Sequence, residues 1–122
     1  MSESWKYGEF DITCEELSHT GDRFSTLFEV HRGDTYLGSA TAVLVRTAES
    51  AAIKQLPNGE PEARLRLRVR EAFMDVGRDH LKQFLAAGGT DRLMPNIPFE
   101  YLRVNGDDQE LIDELARRAL DR

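Results

Sequence analysis

Four arginines in one short run are the residues with the clearest chemical potential in this sequence. They occupy alternate positions, namely Arg64, Arg66, Arg68 and Arg70. On a β-strand, alternate residues project from the same face about 6.6 Å apart. A stripe of guanidinium groups would suit phosphates or an acidic partner, because each can donate two parallel hydrogen bonds to an anion. Anion or nucleic-acid binding through this run is therefore one hypothesis.

Pairing within the sheet is the alternative explanation of the same run. Four carboxylates would lie on the outer faces of the first two predicted strands, namely Glu9, Asp11, Glu15 and Glu29. Cross-strand acid–base pairs would neutralise the arginines there. No aromatic residue alternates with the arginines as a stacking platform for bases. We therefore favour internal pairing over a binding surface.

The charge balance of the chain also argues against a nucleic-acid partner. With 16 basic and 22 acidic residues, the 122-residue chain has a net charge of −6. Proteins that bind duplexes usually carry a basic footprint. Residues 1–62 contain 5 basic and 11 acidic side chains, whereas residues 63–122 contain 11 of each. The whole net negative charge therefore comes from the first half of the chain.

Cys14, His19 and His31 are the side chains that come nearest to a metal-ligand set. Their spacing matches no standard zinc pattern, and a fourth ligand is missing. Cys14 alternates with apolar residues, which favours a small buried hydrophobe over a thiolate nucleophile. We expect neither a metal nor another cofactor.

Three further residues are candidates for a pocket or an interface. His80 lies on the apolar face of a predicted helix, where a pocket against the sheet could serve a small-molecule enzyme or sensor. Trp5 and Tyr7 fall on the polar side of the first predicted strand, a position typical of an interface or ligand cleft. The alternative is that both rings pack inward. No nucleophile elbow, Walker loop, dinucleotide fingerprint or zinc-protease motif is present.

Alternation of apolar and polar residues predicts the elements that would position these side chains. Strands are predicted over residues 6–16, 23–32 and 35–46, with Gly33 and Asp34 as the reversal between the last two. These strands form an antiparallel meander. A short strand is predicted over 99–104, and the apolar stripe after Asp107 and Asp108 predicts a final helix.

Residues 61–87 support two interpretations. Strict alternation over residues 64–70 predicts a fourth strand, which would leave no buried arginine and no stray leucine. Leucine and arginine nevertheless favour helix, and an apolar stripe through Leu65, Val69, Phe73 and Val76 fits one long helix from Pro61. We prefer the strand, followed by a helix that ends before Gly88.

Together these patterns predict a single α+β domain over residues 1–122. An antiparallel sheet of three to five strands, beginning with the N-terminal meander, would pack against two main helices. We expect a small, soluble, non-enzymatic accessory or binding protein of the bacterial cytoplasm. Its partner would be another protein, or a second copy docked through the stripe of the last helix. No run approaches the roughly 20 apolar residues that span a bilayer.

Overall fold

A sheet covered on one face by helices forms the body of the protein. The computed structural model describes residues 3–121. Over these residues the elements are β1 Glu3–Tyr7, β2 Phe10–Cys14, β3 Ser18–Thr20, β4 Arg23–Arg32, β5 Thr35–Val45, α1 Arg46–Ile53, α2 Glu62–Ala86, a 3-10 turn Gly89–Arg92, β6 Phe99–Val104 and α3 Gln109–Leu120. The α+β class is confirmed, and so is the packing of the sheet against two main helices, α2 and α3.

The sheet has the strand order β1-β2-β4-β5-β6, and the short β3 pairs with β4 beyond the end of β2. All pairs from β1 to β5 are antiparallel, as the meander predicts. The last strand, β6, runs parallel to β5, so the sheet is mixed. The chain leaves β5 through α1 and α2, and a crossover of this kind returns the next strand in the same direction.

One hydrophobic core lies between the helix-covered face of the sheet and the helices. In β2 and β4 every second residue is buried, because successive strand side chains point to opposite faces. The largest fully buried side chains come from both layers and include Ile12, Phe28, Leu44, Phe73, Leu81, Ile112 and Leu115. On the other face Thr13, Glu29 and Thr41 remain partly exposed. This division is typical of an antiparallel sheet with one wet face.

The single strand predicted over residues 6–16 is wrong. Gly8 adopts a φ of +58°, a left-handed conformation that glycine tolerates best, and the chain reverses there. Tyr7 therefore pairs with Phe10, and Trp5 lies opposite Ile12. The segment is a two-stranded hairpin, so Trp5 and Tyr7 share the face of the buried residues rather than the polar face.

The fourth strand predicted over residues 64–70 is also wrong, because this segment forms the first turns of α2. Val69 and Phe73 are completely buried at helical spacing. Burial of that stripe, together with the helical preference of leucine and arginine, outweighs a short alternating pattern that either period can accommodate. The alternative of one long helix is confirmed.

The apolar stripe of α3 is used within the chain. Ile112, Leu115, Ala116 and Ala119 are buried, and α3 contacts both α1 and α2. The stripe that was considered for docking a second copy is therefore already covered. In the described part of the chain, no helix has the length and apolar character needed to cross a membrane.

A close backbone approach at Gly38 leads to a stability prediction. Its φ is +143°, and a methyl group added there would lie 2.8 Å from both the backbone nitrogen and oxygen of Met94. We expect Gly38→Ala to lower the free energy of unfolding by about 2–4 kcal/mol, since backbone strain and a backbone clash add. Gly8→Ala, with no atom within 4 Å of the added carbon, should cost only about 1 kcal/mol. Equal losses in urea denaturation would contradict this packing.

Candidate binding groove

The four arginines of the run do not form one stripe, because they lie on a helix. Successive residues of a helix are rotated by about 100°, so Arg64 and Arg68 share one side of α2 and Arg66 and Arg70 another. The geometry on which the anion-binding hypothesis rests, a row of four guanidinium groups on a strand face, is therefore not present in α2.

Glu49 of α1 organises the second pair of arginines. Its side chain is completely buried, and its two carboxylate oxygens accept hydrogen bonds from Arg66 Nη1 at 2.8 Å and Arg70 Nε at 2.6 Å. Arg70 also lies with its guanidinium carbon 4.1 Å from the centre of the Phe24 ring. A buried carboxylate is costly unless charged donors satisfy it, and here two do so.

The other two arginines of the run, Arg64 and Arg68, do not contact Glu49, and Arg66 has a further partner. Arg68 contacts Glu60 at 2.8 Å, and Arg66 makes a second contact with Glu62 at 3.2 Å. Arg64 is exposed and forms no ion pair within the described residues. The carboxylates that pair with the run are thus Glu49, Glu60 and Glu62. The partners predicted from the sequence were Glu9, Asp11, Glu15 and Glu29. That prediction was wrong, because it assumed that the arginines lie on a strand beside β2 and β4.

A different stripe of α2 lines a groove at the open edge of the sheet. Leu67, Glu71, Met74 and Arg78 follow at intervals of four, three and four residues, so they lie along one side of the helix. Across from them runs the irregular segment 15–17, which connects β2 to β3. We call the space between them the edge groove.

The edge groove consists of two adjoining clefts. The wider cleft, of about 600 Å³, is lined by Glu3, Cys14, Glu15, Glu16, Leu17, Glu71, Met74, Asp75 and Arg78. The narrower cleft, of about 380 Å³, is lined by Leu17, His19, Phe24, Leu67, Arg70, Glu71 and Met74. Leu17, Glu71 and Met74 line both clefts, so the two clefts adjoin along these residues.

The middle of the edge groove is apolar. Leu17 and Met74 are half-buried and pack against the core, and the buried Phe24 also lines the narrower cleft. Leu67 differs from them because 56% of its surface is exposed. Leu67 lies off the apolar stripe through Leu65, Val69, Phe73 and Val76, and this departure from the helical pattern is the sequence signal for the surface.

The rim of the edge groove is acidic. Its lining contains five carboxylates, those of Glu3, Glu15, Glu16, Glu71 and Asp75, against the guanidinium groups of Arg70 and Arg78. Both arginines already face carboxylates, since Arg78 contacts Glu3 and Arg70 contacts Glu49. With His19 neutral, the lining has a formal charge of −3, from five acidic and two basic groups.

Cys14 contributes a neutral thiol to the floor of the groove. Its sulfur lies 3.4 Å from Thr26 Oγ1, and Thr26 donates a hydrogen bond of 2.8 Å to the Glu15 carbonyl. Burial is the main cause that raises the pKa of the Cys14 thiol above its ordinary value, and the nearby Glu15 raises it further. A thiol of this kind behaves as a small hydrophobe and a poor nucleophile.

The structure does not assemble the remaining candidate residues into one site. Trp5 and Tyr7 pack against the core, and Lys82 Nζ lies 5.7 Å from the centre of the Trp5 ring. Trp5 also lines a surface cleft beside Arg78 and Lys82. His80 is half-buried on α2 and lines neither cleft of the edge groove.

The three residues considered for a metal lie apart in their contacts. The His19 ring stacks on Phe24 with centres 4.6 Å apart, whereas the His31 ring lies 5.0 Å from Tyr36. Over residues 3–121 no group of three or more histidine, cysteine or acidic side chains could hold a metal ion.

No family model, curated protein or solved structure matches this chain. Its function must therefore be inferred from the geometry of its own residues.

The unequal environments of the arginines lead to a prediction. We expect Arg70→Gln to lower the free energy of unfolding by about 3 kcal/mol, since it leaves the buried Glu49 carboxylate with one charged donor. Arg64→Gln removes the same charge from an exposed position and should cost less than about 0.5 kcal/mol. Chemical denaturation of both variants at neutral pH measures the difference. Similar losses would mean that Glu49 does not depend on Arg70.

Proposed function

We propose that this protein is a non-enzymatic binding protein that holds an apolar segment of a partner in the edge groove. The observation that carries the proposal is Leu67, a large apolar side chain that is more than half exposed beside an apolar floor. A single exposed leucine is ordinary. One that continues a half-buried apolar strip formed by Leu17 and Met74 marks a surface that a partner can cover.

The wet face of the sheet and the arginine run support binding less well. The sheet face carries small polar and charged side chains such as Thr13, Glu29 and Thr41. Three of the four arginines already contact carboxylates of the chain. The edge groove combines depth, apolar surface and an open edge, and binding sites are typically concave and mostly apolar with a few polar groups.

A neutral synthetic peptide of leucine, glutamine and serine tests the proposal. Methyl resonances of Leu17, Leu67 and Met74 in the full chain should shift on titration, whereas those of the exposed Met94 and Ile97 should not. Equal shifts at all exposed methyl groups, or none, would overturn the proposal. So would a peptide-free shift of Leu67 with rising protein concentration, together with a doubled mass in light scattering. That outcome would place a second copy in the groove.

Matched serine substitutions give the size of the effect. Leu67→Ser should raise the dissociation constant of the same peptide roughly fivefold, because burial of the exposed half of a leucine is worth about 1 kcal/mol. Leu120→Ser is the control, since Leu120 is 48% exposed on α3 and lies outside the groove. Equal weakening by both substitutions would contradict the assignment of the site.

A further inference from the structure

A separate chemical property of this chain lies in the exposed turn between α1 and α2. Two asparagines of the sequence, Asn58 and Asn105, are followed by glycine. We infer that Asn58 is a site of spontaneous deamidation, which converts its side-chain amide into a carboxylate, whereas the fold protects Asn105 from the same reaction. The inference is independent of the proposed function, because neither asparagine lines the edge groove.

The reaction requires only the chain itself and water. The backbone nitrogen of Gly59 forms a bond to the side-chain carbonyl carbon of Asn58, and the bond from that carbon to the side-chain nitrogen breaks. The side-chain nitrogen leaves as ammonia with the proton of the Gly59 amide, and a succinimide ring remains. Water then opens the ring at one of its two carbonyl carbons, which yields aspartate or isoaspartate. Glycine favours the first step, because it has no side chain to cover the attacking nitrogen.

Asn58 lies in a turn that no hydrogen bond restrains in the described part of the chain. Its side chain is exposed, and over residues 3–121 neither Asn58 nor Gly59 donates or accepts a hydrogen bond. The space around the turn is open, since a carbon added at Gly59 would meet no atom within 4 Å. The backbone can therefore rotate until the glycine nitrogen reaches the asparagine side chain, and no hydrogen bond is lost.

Asn105 is also followed by glycine, but its backbone is held on both sides. It is half-buried, its N–H donates to Asp108 Oδ2 at 2.7 Å, and its carbonyl accepts a hydrogen bond from the Asp108 N–H at 3.1 Å. Gly106 lies against α1, where an added carbon would be 2.5 Å from Thr47 Oγ1. We expect deamidation at Asn105 to be roughly tenfold slower or more than at Asn58, since two hydrogen bonds must break before the Gly106 nitrogen can attack.

The product at position 58 should differ from the original protein in charge and not in fold. One added carboxylate takes the formal net charge from −6 to −7. The new group lies shortly before Glu60, which contacts Arg68 at 2.8 Å, and it belongs to neither the core nor the edge groove. The unfolding midpoint of the deamidated chain should therefore equal that of the original chain.

Mass spectrometry of the full chain after incubation at mildly alkaline pH tests the inference. Trypsin releases Asn58 in the peptide 55–64 and Asn105 in the peptide 104–117, and a sample digested at time zero corrects for conversion during digestion. In the folded chain the peptide 55–64 should convert roughly tenfold faster or more than the peptide 104–117. In guanidinium chloride the two peptides should convert at similar rates, because only the fold distinguishes the two sites.

Matched variants locate the cause of the difference. Asp108→Ala removes the carboxylate that holds the Asn105 N–H and should speed conversion of the peptide 104–117 roughly threefold to tenfold, with the peptide 55–64 unchanged. Asp107→Ala is the control, because it removes a neighbouring exposed carboxylate that accepts no hydrogen bond within the described residues. Asn58→Gln should abolish conversion of the peptide 55–64 over the same period, because glutamine must close a larger ring.

Several outcomes would overturn the inference. One is an equal rate at the two sites of the folded chain, or a faster rate at Asn105. Another is a difference that persists in guanidinium chloride, since the sequence and not the fold would then set it. If neither site of the folded chain converts while a free peptide of residues 55–64 does, the turn is restrained and the inference fails. Equal acceleration by Asp108→Ala and Asp107→Ala would overturn the claim that Asp108 protects Asn105.

Discussion

The buried carboxylate of Glu49 is the constraint on which the arrangement of α2 depends. It is held by Arg66 and Arg70, which lie one turn apart on the same side of the helix. Separation of this ion pair is costly, because it would leave a charge without compensation in the interior of the protein. The pairing therefore holds the side of α2 that carries Arg66 and Arg70 against α1. Arg70 is fixed further by its position over the Phe24 ring.

The edge groove lies on the neighbouring side of the same helix. With Arg66 and Arg70 turned toward α1, the neighbouring stripe that begins at Leu67 is turned toward the open edge beside β3. Arg70 belongs to both features, since it contacts the buried carboxylate and also lines the groove beside the exposed Leu67. The arginine run, the most conspicuous feature of the sequence, thus acts mainly within the chain. The surface that it leaves behind is the one we propose for binding.

The distribution of charge along the chain gains a structural meaning. The excess of acidic residues lies in the first half of the sequence, and it is used in two ways. Glu49, Glu60 and Glu62 pair with the arginines of α2. Glu3, Glu15 and Glu16 line the edge groove. Of the two alternatives for the arginine run, internal pairing accounts for three of the four arginines, and the acidic lining of the groove is a separate feature made by other residues.

Much of the fold could be predicted from periodicity, and the failures have physical causes. Strand β4 buries every second residue and β6 buries Leu102 and Val104, so the pattern of these strands is explicit in the sequence. The apolar positions shift from odd to even numbers between Tyr7 and Phe10, and the reversal at Gly8 accounts for this shift, which a single strand over residues 6–16 does not. Over residues 64–70 the strand alternation and the helical repeat fit the sequence equally well. The burial of Val69 and Phe73 at helical spacing favours the helix. The groove could not be predicted, because it joins α2 to a segment about fifty residues earlier in the sequence.

The most direct test of this account is a double-mutant cycle on Glu49 and Arg70 by chemical denaturation. Glu49→Gln and Arg70→Met are measured singly and together. If the buried pair fixes α2, the double variant should lose less stability than the sum of the single losses, by at least about 1.5 kcal/mol. Losses that add to within about 0.3 kcal/mol would mean that the two residues act independently, and would contradict the central role given to Glu49.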